Sequence, residues 1–452
     1  MEGVKISDIL EWTDGVAENI KFDFPVKGIS TDTRNLKNGE LFVALEGKRF
    51  DGHDFVQEAF RKGAVCAVVR RDFELPERPL IKVKDTLKGL GDIAKGYRRR
   101  FNLKVIGITG SDGKTTTKEI VGRVLHSKYN TVISEKSYNN QIGLPLTIFK
   151  LSSNTKFCVV EMGMNKKGEI DYLSKIASPS VGIITNIGYA HIGFFKNRKE
   201  IAEEKSRLLR NLEENGFKVL NFDSPFFNYL KKVGKNKTFS FGLNDGADYQ
   251  GYFDKIGEDS FTFRIKNIKE EFRMNFWNPS FIYSGIIGII IGLKFGIPLI
   301  EIKKILSEFK PLEGRSRIID TGRVKVIDES YNSNPFSLKM AIYHFAKRKE
   351  KRKILIVGDM AELGRYSYIF HLNIGRYLNK LPINLILTYG EKSKAIKDGI
   401  KEKERVKSFR DISEIFEFLD RNIKDGDIIL VKGSRIMGME RIVNYIVEKF
   451  SC

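Results

Sequence analysis

Cysteine is almost missing from this chain of 452 residues. The three present, Cys66, Cys158 and Cys452, are far apart and show no CxxC spacing, so no paired-cysteine motif is available. Cys66 and Cys158 lie inside apolar, strand-like runs and read as buried core thiols, which suits a reducing cytoplasm. From Glu2 and Lys5 onward there is no long apolar stretch, so a signal peptide is not expected. The most apolar run, Phe281 to Ile300, is broken by Lys294, and its continuous core from Gly285 to Leu293 is too short to span a bilayer. With Gly285, Gly288 and Gly292 at small-residue spacing, it reads as a buried helix packed closely on a sheet. Membrane insertion is not expected. Internal repeats, low-complexity tracts, a basic tail and helix-turn-helix or RNA-binding signatures are also missing. The formal net charge of +21 is spread along the whole length. It reads as a solvated basic surface suited to polyanionic small substrates rather than to nucleic acid.

What is there is alternation of strand and helix signals over a length that calls for two or three domains. Residues 1–100 offer strands at 27–31, 40–45, 64–69 and 80–83, with a helix from Asp54 to Lys62 that Gly63 ends. Arg98-Arg99-Arg100 makes a polar boundary. Residues 101–312 open with a strand at 104–109, followed by a helix whose Ile120, Val121, Val124 and Leu125 form a sheet-facing stripe. Apolar runs at 157–160 and 181–185 each end in polar residues, and such alternation implies a parallel sheet. From about 217 to 275, Phe- and Tyr-rich segments with turn signals predict an antiparallel excursion. Residues 313–452 carry strands at 325–327, 353–357, 385–388 and 427–431 with helices between, a second doubly wound α/β unit.

The strongest chemical signal is GITGSDGKTTTKE, a strand, a glycine-rich turn, a lysine and then hydroxyls at a helix start. Gly110, Ser111, Asp112 and Gly113 are small enough for backbone N–H groups to face a polyphosphate, and the helix N-terminus adds partial positive charge. Lys114 suits the β- and γ-phosphates, the Thr115 hydroxyl suits Mg²⁺, and Thr116 continues the loop. The spacing is shortened, Gly-x-x-Gly-Lys-Thr-Thr. A tight turn without a ligand explains the glycines but not Lys-Thr-Thr at that place, so ATP binding is expected. Glu161 and His191 follow the ends of two further strands, and in an open parallel sheet those ends face the same crevice. A carboxylate and a neutral imidazole there can complete a Mg²⁺ shell.

TGSDGKTTTKE, SYNNQIGLPLTI, VVEMGMNKKGEI and ITNIGYAHIGFF, in that order, resemble the Mur ligase family. STDTRNLKNGELFVALEGKRFDGHDFVQEAFRKGA resembles its uridine-nucleotide-binding domain. GRSRIIDTG, DESYNSNPFS, VGDMAELG and VKGSRIMGME resemble the branch that adds D-alanyl-D-alanine. The resemblance implies three α/β domains: a central P-loop-type parallel-sheet ATPase domain between an N-terminal UDP-binding domain and a C-terminal Rossmann-like domain. It implies an ATP-dependent amide ligase acting in the cytoplasm as a monomer, with UDP-N-acetylmuramoyl-tripeptide and D-Ala-D-Ala as its partners. The peptide carboxylate would attack the γ-phosphate, and the dipeptide amine would then displace phosphate from the acyl phosphate. Glu161 and His191 match the family's Mg²⁺ ligands. Lys205 aligns with a lysine that members often carry as a carbamate, which could hold a second Mg²⁺, although Lys205-Ser206-Arg207 stands where Lys-Gly-Glu is usual. Asn278 resembles the adenine-contacting asparagine, with Trp277 in place of the usual histidine, either stacking on the base or packing. Arg315 resembles the arginine that reaches ATP phosphate, and Asp328 the carboxylate that binds ribose; both imply domain closure. Asn334 either positions nucleotide or dipeptide or serves a turn, beside Tyr331, Asn332 and Pro335. Ser30, Thr31, Asp32 and Arg34 are candidates for the uridine diphosphate pocket, with a second loop from Gly47 to Asp54 that includes His53. The competing reading is a sibling ligase adding the third amino acid: the Asp-Asn-Pro-Arg motif of the diaminopimelate-adding form is missing, a lysine-adding form is not excluded on that ground, and DESYNSNP and GDMAELG favour the dipeptide-adding branch. A nucleotide-binding scaffold without catalysis is opposed by intact Lys114, Glu161, His191 and Lys205.

Overall fold

The alternating apolar runs resolve, in a computed structural model that describes residues 1–47 and 50–451, into three successive sheets. In the first, strands Gly28–Ser30, Glu40–Val43, Cys66–Arg70 and Leu80–Val83 run parallel, and Val16–Glu18 pairs antiparallel at one edge. Cys66 and Cys158 are buried free thiols pushed up to about 12 by desolvation, whereas Cys452 lies outside the described residues. The helix read from Asp54 begins earlier, as a 3-10 turn at Gly52–Phe55, because the Asp51 side chain accepts the His53 amide and caps it.

A long helix, Thr86–Arg99, joins this unit to the next and starts on an Asp85 cap. Arg98, in the expected polar boundary, is not on the surface. Its side chain is buried and donates to the carbonyls of Ala177, Phe101 and Leu103, so it fastens the helix to the central unit. A buried guanidinium is tolerable only with such partners.

The central sheet has nine strands among the described residues, with Lys104–Thr109 between Phe157–Glu161 and Val181–Ile184, all parallel. Ile120, Val121, Val124 and Leu125 are all fully buried, as the stripe predicts. The expected antiparallel excursion is only half right. Phe217–Asn221 and Lys237–Gly242 extend the sheet in parallel, and the antiparallel part is confined to Tyr249–Ile256, Phe261–Ile265 and Phe272–Met274. The apolar run forms a buried helix, Ile282–Lys294. Its glycines face a helix as well as strands: a Cβ on Gly288 would lie 2.6 Å from Ile120 on the loop helix, and one on Gly285 2.6 Å from Met274 Sδ. Among the described residues no helix is long and apolar enough to cross a membrane.

The third sheet orders Arg317–Asp320, Lys325–Glu329, Ile428–Lys432, Lys353–Gly358, Leu385–Tyr389 and Val406–Phe409. All pairs are parallel except at the first edge strand. Its carboxyl ends turn toward those of the central sheet, and the cleft lies between them.

Candidate functional site

The central strand ends at Thr109, and the chain then turns through Gly110 at φ +153 and Gly113 at φ +77. A side chain at Gly110 would bring its Cβ to 1.8 Å from Thr185 Oγ1, so this turn requires glycine. Asn186 braces the loop: its Oδ1 accepts the amides of Ser111 at 2.9 Å and Asp112 at 2.8 Å. Thr185 Oγ1 donates to the Asp112 carbonyl at 2.6 Å, and Ser111 Oγ accepts the Gly188 amide at 2.7 Å. Two of the amides expected to face a polyphosphate therefore face Asn186 instead. The backbone donors left for an anion include those of the first turn of the helix Lys114–His126.

Lys114 Nζ donates to the Gly110 carbonyl at 2.9 Å, and so does Lys205 Nζ, also at 2.9 Å. Lys205 closes the helix Arg198–Lys205 and is fully buried beneath the loop rather than on the cleft wall. Burial, and then the neighbouring Lys114 cation, push its amine well below the ordinary lysine range.

Glu161 ends its strand with both oxygens engaged, Oε2 by the Thr115 hydroxyl at 2.6 Å and Oε1 by Asn139 Nδ2 at 2.7 Å. His191 lies on the same cleft, in the left-handed region at φ +63. Its Nδ1 stands 2.5 Å from Glu362 Oε2, off the line of a well-formed hydrogen bond. Burial holds this imidazole below the ordinary histidine range, and the imidazole contact holds the Glu362 carboxyl below its own. We read the pair as neutral imidazole against carboxylate, because desolvation is the larger influence on His191.

No three His, Cys, Asp or Glu side chains among the described residues form a metal cluster by themselves. The Thr115 hydroxyl against the Glu161 carboxylate nevertheless suits Mg²⁺, which takes one or two carboxylates and completes its shell with phosphate oxygens and water. The residues present fit that ion.

The third unit closes the cleft. Asn334 Nδ2 donates to Asp112 Oδ1 at 2.5 Å, while its Oδ1 caps the helix Pro335–Ala346 by accepting the Phe336 and Ser337 amides. Tyr331 and Ser137 join their hydroxyls, and the Arg315 guanidinium lies 3.9 Å from the Tyr331 ring centre. Asn278, Arg315, Tyr331 and Asn334 thus share one cleft of about 890 Å³ with Ser111 to Thr116, Glu161 and His191. That is the size of a small-molecule site. Trp277 beside Asn278 is buried in the core and packs.

Asp328 is not on the wall. It is buried, with Oδ2 accepting the Gly314 amide and Oδ1 accepting from Ser330. Ser30, Thr31, Asp32 and Arg34 lie outside this cleft on the first unit, where Asp32 and Arg34 form an ion pair. His53 is a structural residue: Nδ1 meets Asp51 at 2.6 Å and Nε2 accepts the Arg70 amide. Of the loop from Gly47 to Asp54, Lys48 and Arg49 lie outside the described residues. Sequence reasoning assigned no role to Asn139, Asn186 or Glu362. Asn186 was within reach, since it directly follows a strand whose end faces the crevice. Glu362 lies four residues past the strand Lys353–Gly358, a weaker signal of the same kind, whereas Asn139 follows only a three-residue strand.

Two sheets with facing carboxyl ends and a glycine-lysine loop on one of them define a nucleotide-binding α/β protein whose site is shared between two units. The Mur ligase family, catalytic domain matches residues 25–98, the Mur ligase middle domain 108–283, and the Mur ligase, glutamate ligase domain 314–435. The chain belongs to the Mur ligase family. It is 35% identical to the UDP-N-acetylmuramoyl-tripeptide–D-alanyl-D-alanine ligase of Bacillus subtilis (strain 168), over 98% of each chain. Among solved structures it is similar to MurF from Acinetobacter baumannii, with TM-score 0.90, 30% identity and 98% of each chain covered. It is also similar to MurF ligase from Thermotoga maritima in complex with ADP, with TM-score 0.84, 28% identity, 94% of this chain and 98% of that one.

Proposed function

We propose that this chain is an ATP-dependent amide ligase that joins D-alanyl-D-alanine to UDP-N-acetylmuramoyl-tripeptide, giving the pentapeptide precursor of peptidoglycan. The carrying observation is that Lys114, Thr115 and Glu161 on one sheet and Arg315, Tyr331 and Asn334 on the other line a single cleft. The peptide carboxylate attacks the γ-phosphorus and ADP leaves. The dipeptide amine then attacks the acyl carbon, loses a proton, and phosphate leaves. Lys114 and the helix N-terminus gather phosphate charge, and Arg315 approaches from the third unit. Asn278 is the adenine contact in this reading. Thr115, Glu161 and His191 would hold Mg²⁺, which would supply neutralising charge beside the phosphates.

Lys205 would carry a carbamate in the working enzyme and, so modified, would hold a second Mg²⁺. Burial favours the neutral amine, which would attack CO₂ and lose a proton to leave an anionic carbamate; the amine must first leave the Gly110 carbonyl. Asp328 binds ribose only after its carboxylate turns from the Gly314 amide. Ser30, Thr31, Asp32 and Arg34 take the uridine diphosphate on the first unit. The three units are 1–100, 101–312 and 313–452, and the enzyme works as a cytoplasmic monomer.

The test is phosphate release from ATP and Mg²⁺ with the nucleotide tripeptide and candidate amines. Release that requires D-Ala-D-Ala supports the reading. Release with a single amino acid would replace it with a sibling ligase.

A further inference from the structure

The contact between His191 and Glu362 joins two units whose backbones already touch. The Gly193 amide donates to the Glu362 carbonyl at 2.8 Å. A Cβ on Gly193 would stand 2.6 Å from the Gly364 nitrogen and 2.7 Å from the Glu362 oxygen, so this approach admits no side chain. Around it, the Tyr366 hydroxyl donates to the Lys196 carbonyl at 3.1 Å, and the rings of Tyr189 and Phe370 lie 4.9 Å apart. His191 at φ +63 and Glu362 at φ +60 both adopt the left-handed region without being glycine. Such strain persists where surroundings over-determine it, and it collects at working sites.

Other side chains also bridge these units. Arg348 reaches Asp259 at 3.0 Å and the Glu258 carbonyl at 2.9 Å. That latch touches no candidate ligand, whereas Glu362 touches the imidazole itself. The imidazole meets the carboxylate through Nδ1, which is buried. This leaves Nε2 as the nitrogen available to a metal. A carboxylate behind a metal-binding histidine fixes its tautomer and ring orientation.

We infer that Glu362 is a positioning residue for His191, supplied by the third unit, so that docking of that unit completes the metal site of the central one. The inference rests on the reading of His191 as a Mg²⁺ ligand. A small turn of either side chain converts the 2.5 Å contact into a straight N–H···O bond.

Mn²⁺ affinity of the full chain, measured by electron paramagnetic resonance with a non-hydrolysable ATP analogue, tests it across wild type, E362A, E362Q and H191A. E362A is expected to weaken Mn²⁺ by about tenfold or more with an unchanged melting midpoint, the range typical of such outer partners. E362Q keeps an oxygen that can accept from Nδ1 and should lose less. Steady-state kinetics should show the KM for Mg²⁺ raised more than kcat is lowered. Wild-type affinity in E362A beside a weakened H191A would overturn the positioning role alone. Tighter Mn²⁺ binding in E362A would overturn it too, by showing the carboxylate to compete with the metal. Unchanged affinity in H191A would remove both the ligand and its support. Failure of the ligase reading is seen separately, in wild-type phosphate release with the dipeptide.

Discussion

Replacing Asn186 by alanine asks what the phosphate loop owes to a residue that never needs to touch ATP. Its Oδ1 accepts two loop amides, at 2.9 and 2.8 Å, and its Nδ2 reaches Asp112 Oδ2 at 3.2 Å. A typical net hydrogen bond contributes about 1 kcal/mol, so losing the two short ones costs the formed loop about 2 kcal/mol. If the formed loop is the state that binds nucleotide, ATP affinity falls about thirtyfold, since each 1.4 kcal/mol is tenfold. Water at the freed amides reduces that figure, so about tenfold is the expectation. Isothermal titration with a non-hydrolysable ATP analogue measures it directly. The opposite result is physically meaningful, because Asn186 occupies amides that a phosphate could otherwise take. Tighter nucleotide binding in Asn186→Ala would refute bracing and make Asn186 a competitor.

Lys114→Ala should abolish phosphate release while the far-ultraviolet circular dichroism is unchanged; near-normal turnover would remove the lysine from the chemistry. Lys205→Ala should be nearly inactive and partly rescued by a small added carboxylate, and full activity would sink the carbamate. His344, pushed down to about 4 by burial and the Lys347 charge, is neutral when folded, whereas an unfolded histidine titrates near 6.5. Its contribution is therefore present above about pH 6.5 and is lost as pH falls toward 4. Denaturant midpoints of wild type should fall more steeply across that window than those of His344→Gln, and equal slopes would count against the burial argument. Gly292→Ala would drive a Cβ to 2.4 Å from Ile302 Cδ1 and 2.9 Å from Val124 Cγ1. Overpacking costs about 1–3 kcal/mol and helix propensity returns about 1, so its thermal midpoint should drop. Gly285→Ala, which meets the unbranched, rotatable side chain of Met274, should drop it less.

The sequence made the loop, Glu161 and His191 legible for a geometric reason. Parallel strands deliver their carboxyl ends to one edge, so residues just past Thr109, Val160 and Thr185 must converge whatever lies between them. Nothing comparable marks Asn139, which follows a strand of three residues, Thr131–Ile133, too short to show a period. The parallel strands at 217–221 and 237–242 were misread because alternation reports a strand but not its direction. Nothing in Arg98-Arg99-Arg100 singled out Arg98, since composition cannot tell which guanidinium finds three carbonyls.

Asp328 shows where likeness of motif stops being information about geometry. The similarity supplies a carboxylate at the right place in the chain, but its direction depends on what else nearby needs an acceptor. Gly314 turns at φ +70, and its amide takes Asp328 Oδ2 at 2.9 Å. The Ser330 hydroxyl takes Oδ1 at 2.6 Å. Arg315 follows that turn directly, so the same carboxylate that would hold a ribose holds the turn that aims Arg315 into the cleft. A ribose hydroxyl therefore competes with these donors, because Oδ1 already accepts the Ser330 amide as well as its hydroxyl, and Oδ2, buried off the cleft wall, must turn from the Gly314 amide to meet it. Asp328→Asn keeps the shape but places an amide nitrogen against one of those donors. It should disturb the turn and weaken ATP binding together. A variant that loses ATP affinity while the Arg315 turn stays intact would assign Asp328 to the nucleotide alone.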